Sequence, residues 1–170
     1  MGTGKTSVGK RLAKELNLKF IDTDDLIEKE AGICINEIFT KFGETYFRQL
    51  ESKVTNEVSS DANMVIATGG GAVINPLNFL ALKKNGILIC LTASIDVILS
   101  RVGSGDERPL LSEGDKHVPE GFNRGKEAIS NLLKVREPFY KKADFIVDTT
   151  TKTIGEVVEE IKEKIKLWKL

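Results

Sequence analysis

The first residues of the chain have the types and spacing of a phosphate-binding loop. Gly2 and Gly4 are followed directly by Lys5 and Thr6. Glycines let backbone N–H groups turn toward phosphate oxygens, the lysine reaches the β- and γ-phosphates, and the threonine hydroxyl ligates Mg²⁺. This pattern is the end of a Walker A loop, whose first glycine would lie before Met1. It predicts nucleotide binding, with an ordinary N-terminal tail as the alternative.

Three carboxylates follow the short apolar run Leu18–Ile21, because residues 22–25 read Asp-Thr-Asp-Asp. If the run is a strand of a parallel sheet, its carboxyl end faces the crevice in which ligands bind. Two of the acids can then hold Mg²⁺ through water and bind a substrate hydroxyl. The alternative is helix capping, since Thr23 or Asp24 suits the N-cap of a helix that runs to Glu30. Both roles are compatible.

A run of three glycines, Gly69, Gly70 and Gly71, follows a second apolar run, Met64–Ala67, and Thr68. Consecutive glycines lose much backbone entropy on folding, and they suit a place where a ligand approaches the main chain and is bound by N–H groups. A tight turn accounts for one or two of them. The run of three therefore favours a ligand site.

Arginine is rare in this chain, with six residues against nineteen lysines. Arg48 is followed three residues later by Glu51, which can hold it on a helix. Arg136 begins the segment Arg-Glu-Pro-Phe-Tyr, and Arg108 lies in a glycine-rich stretch. Because arginine suits bidentate recognition of carboxylate and phosphate, a pair near the glycines would clamp an anionic small molecule, and Arg108 could close on ATP. Taken singly, each arginine also fits a surface ion pair.

The elements that must position these residues alternate between short apolar runs and segments of helical period. This alternation predicts an α/β domain whose parallel sheet is covered on both faces. The predicted strands are Leu18–Ile21, Met64–Ala67, Gly86–Leu91 and Phe145–Val147. The predicted helices are Thr6–Leu16, Glu44–Ser59, Pro76–Lys84 and Thr153–Trp168. Residues 102–123 hold four glycines and two prolines, which predicts a functional loop.

Composition excludes several classes of protein. The 170 residues suit one domain, and 25 basic against 25 acidic residues give no general attraction to nucleic acid or to an acidic membrane. Cys34 and Cys90 lie far apart without metal-ligand spacing, and His117 is expected to be solvated. The sequence shows neither a signal peptide nor a membrane-spanning stretch. We therefore expect a cytoplasmic protein with no nucleic-acid or membrane partner.

Taken in order, these motifs resemble the shikimate kinase family over nearly the whole chain. The matching segments are Gly4–Thr6, Phe20–Asp24, Ile38–Phe39, Gly43–Glu44, Phe47–Glu51, Ala67–Gly71, Arg108–Leu111 and Arg136–Tyr140. Nucleoside monophosphate kinases would carry an Asp-Gly-Phe-Pro-Arg type segment, and gluconate kinases lack the triple glycine in this context. The resemblance implies MgATP-dependent phosphorylation of the 3-hydroxyl of shikimate. It also implies a monomeric three-layer α/β P-loop kinase, residues 1–170 forming one domain with a lid at about 102–123.

The resemblance assigns roles position by position. It places shikimate at Asp24, Arg48, Gly69, Gly70, Gly71 and Arg136, with Phe39 and Phe47 as walls for the ring. It places ATP at Gly2, Thr3, Gly4, Lys5, Thr6, Ser7, Arg101 and Arg108, with Arg101 against adenine. Thr6 and Asp22 are the implied Mg²⁺ partners. The implied catalytic residues are Lys5, Asp24 and Arg108, of which Asp24 would be the base. The segment Ser112–Val135 is longer than is usual in the family, so no lid roles are assigned around His117 and Arg124.

Two further expectations concern the start of the chain. The family has a strand before the Walker A loop, in the middle of a five-stranded parallel sheet, and four strands are visible here. We therefore expect roughly ten more residues upstream of Met1 in the working protein, and without them two strand pairs separated by a slot of about 9 to 10 Å. The missing strand also motivates an alternative function, a non-catalytic module that binds a ligand or a partner.

Overall fold

The computed structural model describes residues 2–102 and 121–168. Strands and helices alternate along the chain, as the sequence predicts. The strands are β1 (Lys19–Asp22), β2 (Met64–Ala67), β3 (Ile89–Thr92) and β4 (Phe145–Asp148). The helices are α1 (Lys5–Leu16), α2 (Thr23–Ala31), α3 (Ile35–Ser59), α4 (Pro76–Asn85), α5 (Ile95–Val102), α6 (Gly121–Tyr140) and α7 (Ile154–Trp168), with a short 3₁₀ turn at Ala72–Ile74.

The strands form two parallel pairs. In the first pair Lys19 of β1 lies beside Met64 of β2, and in the second pair Ile89 of β3 lies beside Phe145 of β4. Among the described residues, no strand hydrogen bonds join one pair to the other. The parallel pairing confirms the predicted α/β class, and the division into two pairs agrees with the expectation from the sequence.

Helices cover the β1–β2 pair on both faces. Val65 of β2 packs against a cluster formed by α1, β4 and α7, whereas Ile66 packs against a cluster formed by α2 and α3. Successive strand residues point to opposite faces, so an apolar run of this kind is typical of a strand buried on both sides. Ile89 and Leu91 of β3 contact the same α1–α7 cluster as Val65. The two strand pairs therefore rest on one shared helical layer.

The start of α2 corrects one interpretation of the sequence. The N-cap is Asp22, whose Oδ1 accepts the backbone N–H of Asp24 at 3.1 Å, so neither Thr23 nor Asp24 caps the helix. Thr23 is instead fully buried. Asp22 caps α2 because it is the last residue of β1 and its extended backbone leads directly into the helix.

Two helical segments differ from the prediction: α3 is longer than predicted, and α6 was not predicted. Helix α3 begins at Ile35 rather than Glu44, and it is interrupted at Gly43, whose φ of 79° is open to glycine but costly for other residues. The predicted start at Glu44 is therefore the start of its second part. Helix α6 begins at Gly121, inside the segment predicted as a loop, while residues 103–120, including Arg108 and His117, lie outside the described residues.

None of the helices in these described ranges combines the length and apolar character that crossing a membrane requires.

The α1–α7 cluster generates a prediction for stability. Ile161 on α7 is 2% exposed within this cluster, whereas Ile154 on the same helix is 47% exposed. Ile161→Ala removes buried methyl groups and leaves a cavity, so we expect it to lower the free energy of unfolding by about 2 to 5 kcal/mol. Urea titration monitored by circular dichroism measures this change. Ile154→Ala is the matched control, and equal effects of the two substitutions would contradict the packing described.

Candidate active site

The N-terminal loop has the geometry of a phosphate cradle. Gly2 and Gly4 adopt φ values of 63° and 88°, in the left-handed region that glycine enters without strain. Helix α1 begins directly afterwards at Lys5, and the carbonyl of Gly4 accepts the N–H of Val8 at 2.8 Å. The first N–H groups of a helix have no partner within it, so they favour an anion in front of them. The local chain thus has the backbone geometry that an anion site needs, and anion binding here stays a prediction.

Thr6 and Asp22 lie together beside this loop. The Thr6 hydroxyl donates to Asp22 Oδ2 at 2.8 Å, although 16 residues separate them, while Asp22 Oδ1 caps α2. The end of β1 therefore delivers a carboxylate to the first turn of α1. In the part of the chain that the structure describes, no three His, Cys, Asp or Glu side chains converge as a metal-binding group.

The glycine run lies against two carboxylates. A methyl group on Gly69 would lie 2.9 Å from Glu51 Oε1 and 3.0 Å from Asp24 Oδ1, closer than real side chains allow. Thr23, one residue before Asp24, accepts the N–H of Gly69 at 3.2 Å through its hydroxyl. Gly69 therefore leaves the room that the two carboxylates occupy. Thr23, which the sequence suggests only as a helix cap, contacts the same glycine.

Arg48 lies on the other side of the glycine run. A methyl group on Gly71 would overlap its guanidinium. The predicted pairing with Glu51 is confirmed, because Arg48 Nη1 donates to Glu51 Oε2 at 2.7 Å. Glu44, which the analysis did not assign, accepts from Arg48 Nη2 at 2.8 Å. These two carboxylates fix the direction of the guanidinium, which is what a preorganised anion-binding group needs.

Glu51 is the buried centre of this charged group, with its residue 2% exposed. Burial raises the pKa of the Glu51 carboxyl, and Asp24 raises it further, against the opposing effects of Arg48 and Arg136. Arg136 on α6 is itself 7% exposed. Arg48 thus contacts Glu51 directly, while Asp24 and Arg136 lie near enough to act on its charge.

The two predicted wall residues have different environments. Phe39 and Phe47 stack with ring centroids 4.7 Å apart, and the Arg48 guanidinium lies 5.2 Å from the centroid of the Phe47 ring. Phe47 is 5% exposed within the α2–α3 cluster, whereas Phe39 is half-buried beside it. Phe47 therefore supports the site as part of the core, and contact of either ring with a substrate remains a prediction.

A single cavity connects the phosphate loop to the glycine run. It has a volume of about 410 Å³ and runs along β3, with Lys5, Gly69, Gly70 and Tyr140 among its lining residues. Burial raises the pKa of the Cys90 thiol on β3, and the positive charge of Lys5 opposes this rise. An acceptor bound at the glycine run would thus lie near Lys5, the side chain expected to face a phosphate.

Thr149 is a buried residue of the nucleotide side that the sequence analysis missed. Its hydroxyl lies 3.0 Å from the carbonyl of Thr92 and 3.2 Å from the carbonyl of Thr3. Arg101 donates to the Thr149 hydroxyl at 3.0 Å and to its carbonyl at 2.8 Å, and approaches the Gly2 carbonyl at 3.4 Å. These bonds connect the ends of β3 and β4 to the phosphate loop. Thr149 is the first of three consecutive threonines after β4, and no local pattern distinguishes it from the other two.

This combination of features defines a class. A parallel α/β fold carries a phosphate loop at the start of its first described helix, a carboxylate beside the first-turn threonine, and a charged glycine run that borders the same cavity as the loop. Phosphate transfer requires a nucleotide and an acceptor to be held in this relation. The molecule is a P-loop kinase.

Comparisons with known proteins identify the family. The family model for shikimate kinase matches residues 1–166. The chain is 50% identical over 161 residues to the shikimate kinase of Caldanaerobacter subterraneus subsp. tengcongensis, covering 95% of this chain and 89% of that protein. It is 47% identical to the enzyme of Thermoanaerobacter pseudethanolicus, covering 99% and 94%.

A solved structure agrees with this result. The shikimate kinase from Acinetobacter baumannii in complex with shikimate superposes with a TM-score of 0.90 at 36% identity, covering 100% of this chain and 90% of that one. The chain belongs to the shikimate kinase family. It is therefore a kinase, and membership implies that it uses ATP.

The Thr149 contacts generate a prediction for the nucleotide side. Thr149→Val keeps the shape of the side chain but removes the hydroxyl that joins the phosphate loop to β3. We expect ATP affinity, measured by titration calorimetry, to fall about threefold to tenfold, the range of one neutral hydrogen bond. Thr149→Ser keeps the hydroxyl and is the matched control. If serine and valine variants bind ATP equally well, the proposed link is absent.

Proposed function

We propose that the protein transfers the γ-phosphoryl group of ATP to the 3-hydroxyl of shikimate, giving shikimate 3-phosphate and ADP. The observation that carries this proposal is the convergence of Arg48, Arg136 and Asp24 on the glycine run, beside the cavity that reaches Lys5. Two cations suit the carboxylate of the acceptor, and a carboxylate suits its hydroxyls. A related enzyme binds shikimate, as its solved complex records.

The acceptor side is held by preorganised groups. Arg48 is directed by Glu44 and Glu51, so its guanidinium loses little freedom when it binds the shikimate carboxylate together with Arg136. Asp24 accepts hydrogen bonds from shikimate hydroxyls and is the candidate base. Gly70 and Gly71 offer backbone N–H groups at the same place. Positioning of the hydroxyl is the main contribution, because phosphoryl transfer has a loose transition state and little need of a strong base.

The donor side is the phosphate loop. Its N–H groups and Lys5 bind the phosphates of ATP, and Lys5 stabilises charge that develops on the transferred group. Arg108, which lies outside the described residues, is proposed to stabilise the same charge. Arg101 is proposed to pack against adenine, and Ser7 to border the phosphates.

Magnesium fits the residues at the phosphate loop. The hydrogen-bonded oxygens of Thr6 and Asp22 belong to the oxygen donor class that Mg²⁺ prefers, and Mg²⁺ needs few protein ligands because it keeps waters and phosphate oxygens. When bound, it neutralises phosphate charge. Asp22 also caps α2, which holds its carboxylate in place for this role.

A coupled assay of ADP release tests the proposal. We expect ADP release that depends on shikimate and falls sharply with quinate, with shikimate 3-phosphate as the product by mass spectrometry. A non-catalytic binding module is the alternative from the sequence, and no feature of the described site favours it. Shikimate binding without ADP release would favour that alternative and contradict the proposed function.

The arginine assignment makes a separate prediction. Arg136→Ala removes a charge-assisted contact with the acceptor carboxylate, worth about 1.5 to 3 kcal/mol, so shikimate affinity should fall about tenfold to a hundredfold while ATP affinity is kept. Titration calorimetry with each ligand measures both values. Arg11→Ala, which removes an exposed arginine paired with Glu15, is the control. Equal losses for the two ligands in Arg136→Ala would contradict the assignment.

A further inference from the structure

The last residue of α6 is bonded to the middle of the glycine run. The Tyr140 hydroxyl donates to the carbonyl oxygen of Gly70 at 2.8 Å, across 70 residues of sequence. Tyr140 is half-buried, and it lies one helical turn after the buried Arg136. Its position connects the helix that carries the proposed substrate arginine to the backbone proposed to bind the same substrate.

Each carbonyl of the glycine run has its own partner. The Gly69 carbonyl accepts the N–H of Ala72 at 3.1 Å, and the Gly71 carbonyl accepts the N–H of Ile74 at 3.0 Å. These bonds belong to the 3₁₀ turn that follows. The Gly70 carbonyl is bonded to the Tyr140 side chain instead. The direction of this one peptide group therefore depends on a residue outside the loop.

The direction of that peptide group decides where an N–H group points. In a trans peptide the carbonyl of Gly70 and the N–H of Gly71 lie in one plane and point in opposite directions. Both flanking residues are glycines, so rotation of this plane meets little steric resistance. The glycines of the run are not among the described residues with positive φ, so backbone strain does not hold the plane either.

The Tyr140 hydroxyl is suited to this role because it stays protonated. Burial raises the pKa of Tyr140, against the opposing effect of Arg136, so the hydroxyl remains a donor at neutral pH. Arg136 thus acts on the same hydroxyl that holds the Gly70 carbonyl. A rotation of the Tyr140 side chain would disturb both its bond to the Gly70 carbonyl and its interaction with Arg136.

We propose that Tyr140 is a positioning residue for the acceptor site. Its hydroxyl holds the Gly70–Gly71 peptide plane, which aims the Gly71 N–H at the acceptor and keeps this donor in register with Arg136. The inference rests on the proposed function for the identity of the acceptor. The hydrogen bond from Tyr140 fixes the Gly70–Gly71 peptide plane whichever acceptor binds.

Kinetics of Tyr140→Phe test the effect on substrate. The substitution keeps the ring and removes only the hydroxyl. We expect the KM for shikimate to rise about threefold to tenfold, as for the loss of one neutral hydrogen bond, with the KM for ATP unchanged. Tyr46→Phe, at the only other tyrosine of the chain and on the exposed side of α3, is the matched control. A lower melting temperature with an unchanged shikimate KM would mean a purely structural tyrosine and overturn the proposal.

Amide spectroscopy tests the hold on the peptide plane directly. Only two residues of the chain, Gly70 and Gly71, are preceded by glycine. Protein grown with ¹³C-carbonyl and ¹⁵N glycine therefore gives two signals in a spectrum that correlates each amide with the preceding carbonyl. We expect Tyr140→Phe to shift or broaden the Gly71 signal and Tyr46→Phe to leave both in place. Unchanged signals in Tyr140→Phe would overturn the proposal.

The two measurements separate the possible failures. If the wild-type protein phosphorylates no shikimate, the proposed function fails, and the labelled amides alone decide the role of Tyr140. If the wild-type protein is active and Tyr140→Phe changes neither the amide signals nor the shikimate KM, the proposed function stands and this inference fails.

Discussion

Directional hydrogen bonds between distant parts of the chain hold the candidate site together. Among the described residues, Asp22 ends β1 and the glycine run follows β2, whereas Thr149 follows β4, and no strand hydrogen bonds join the two pairs. The Thr149 hydroxyl reaches the Thr3 carbonyl of the phosphate loop, and Tyr140 reaches Gly70. A shared apolar layer of α1 and α7 brings the halves together, but apolar contact has no direction. These polar contacts do have direction, and they link the glycine run to α6 and the phosphate loop to the end of β4.

A buried carboxylate at the centre of the acceptor site makes the geometry demanding. Glu51 is almost fully buried, and a buried charge that loses its partner is costly. Its ion pair with Arg48 therefore has two effects. It holds the arginine in one position, and it gives the buried carboxylate the partner that it needs. Gly69 and Gly71 leave the room that this pair occupies. The glycine run thus has a clear physical cause, which is the space that the charged side chains need.

Local patterns predicted most of the elements and the chemistry of the site. The runs around Met64–Ala67 and Phe145–Val147 are strands as expected, because continuous apolar residues suit strands buried on both faces. Gly2 and Gly4 adopt the left-handed φ that the phosphate loop implies. The Arg48–Glu51 pair was also predictable, since residues three apart meet on one helical face. The long helix at 121–140 was not predicted, because its first residues include glycines and its last turn contains Pro138.

The sequence by itself determined which chemistry this protein carries: a phosphate loop, carboxylates after a strand, a glycine run and a set of scarce arginines, all of which depend on residue type and short spacing. Only the tertiary structure decided which of these groups contact one another. Asp22 replaced Thr23 and Asp24 as the cap of α2, and Thr149 and Tyr140 gained roles through bonds to residues 146 and 70 positions away. Such contacts depend on where the chain returns in space. No local pattern encodes that return, because a threonine or tyrosine after an apolar run looks the same whether its hydroxyl meets water or a distant carbonyl.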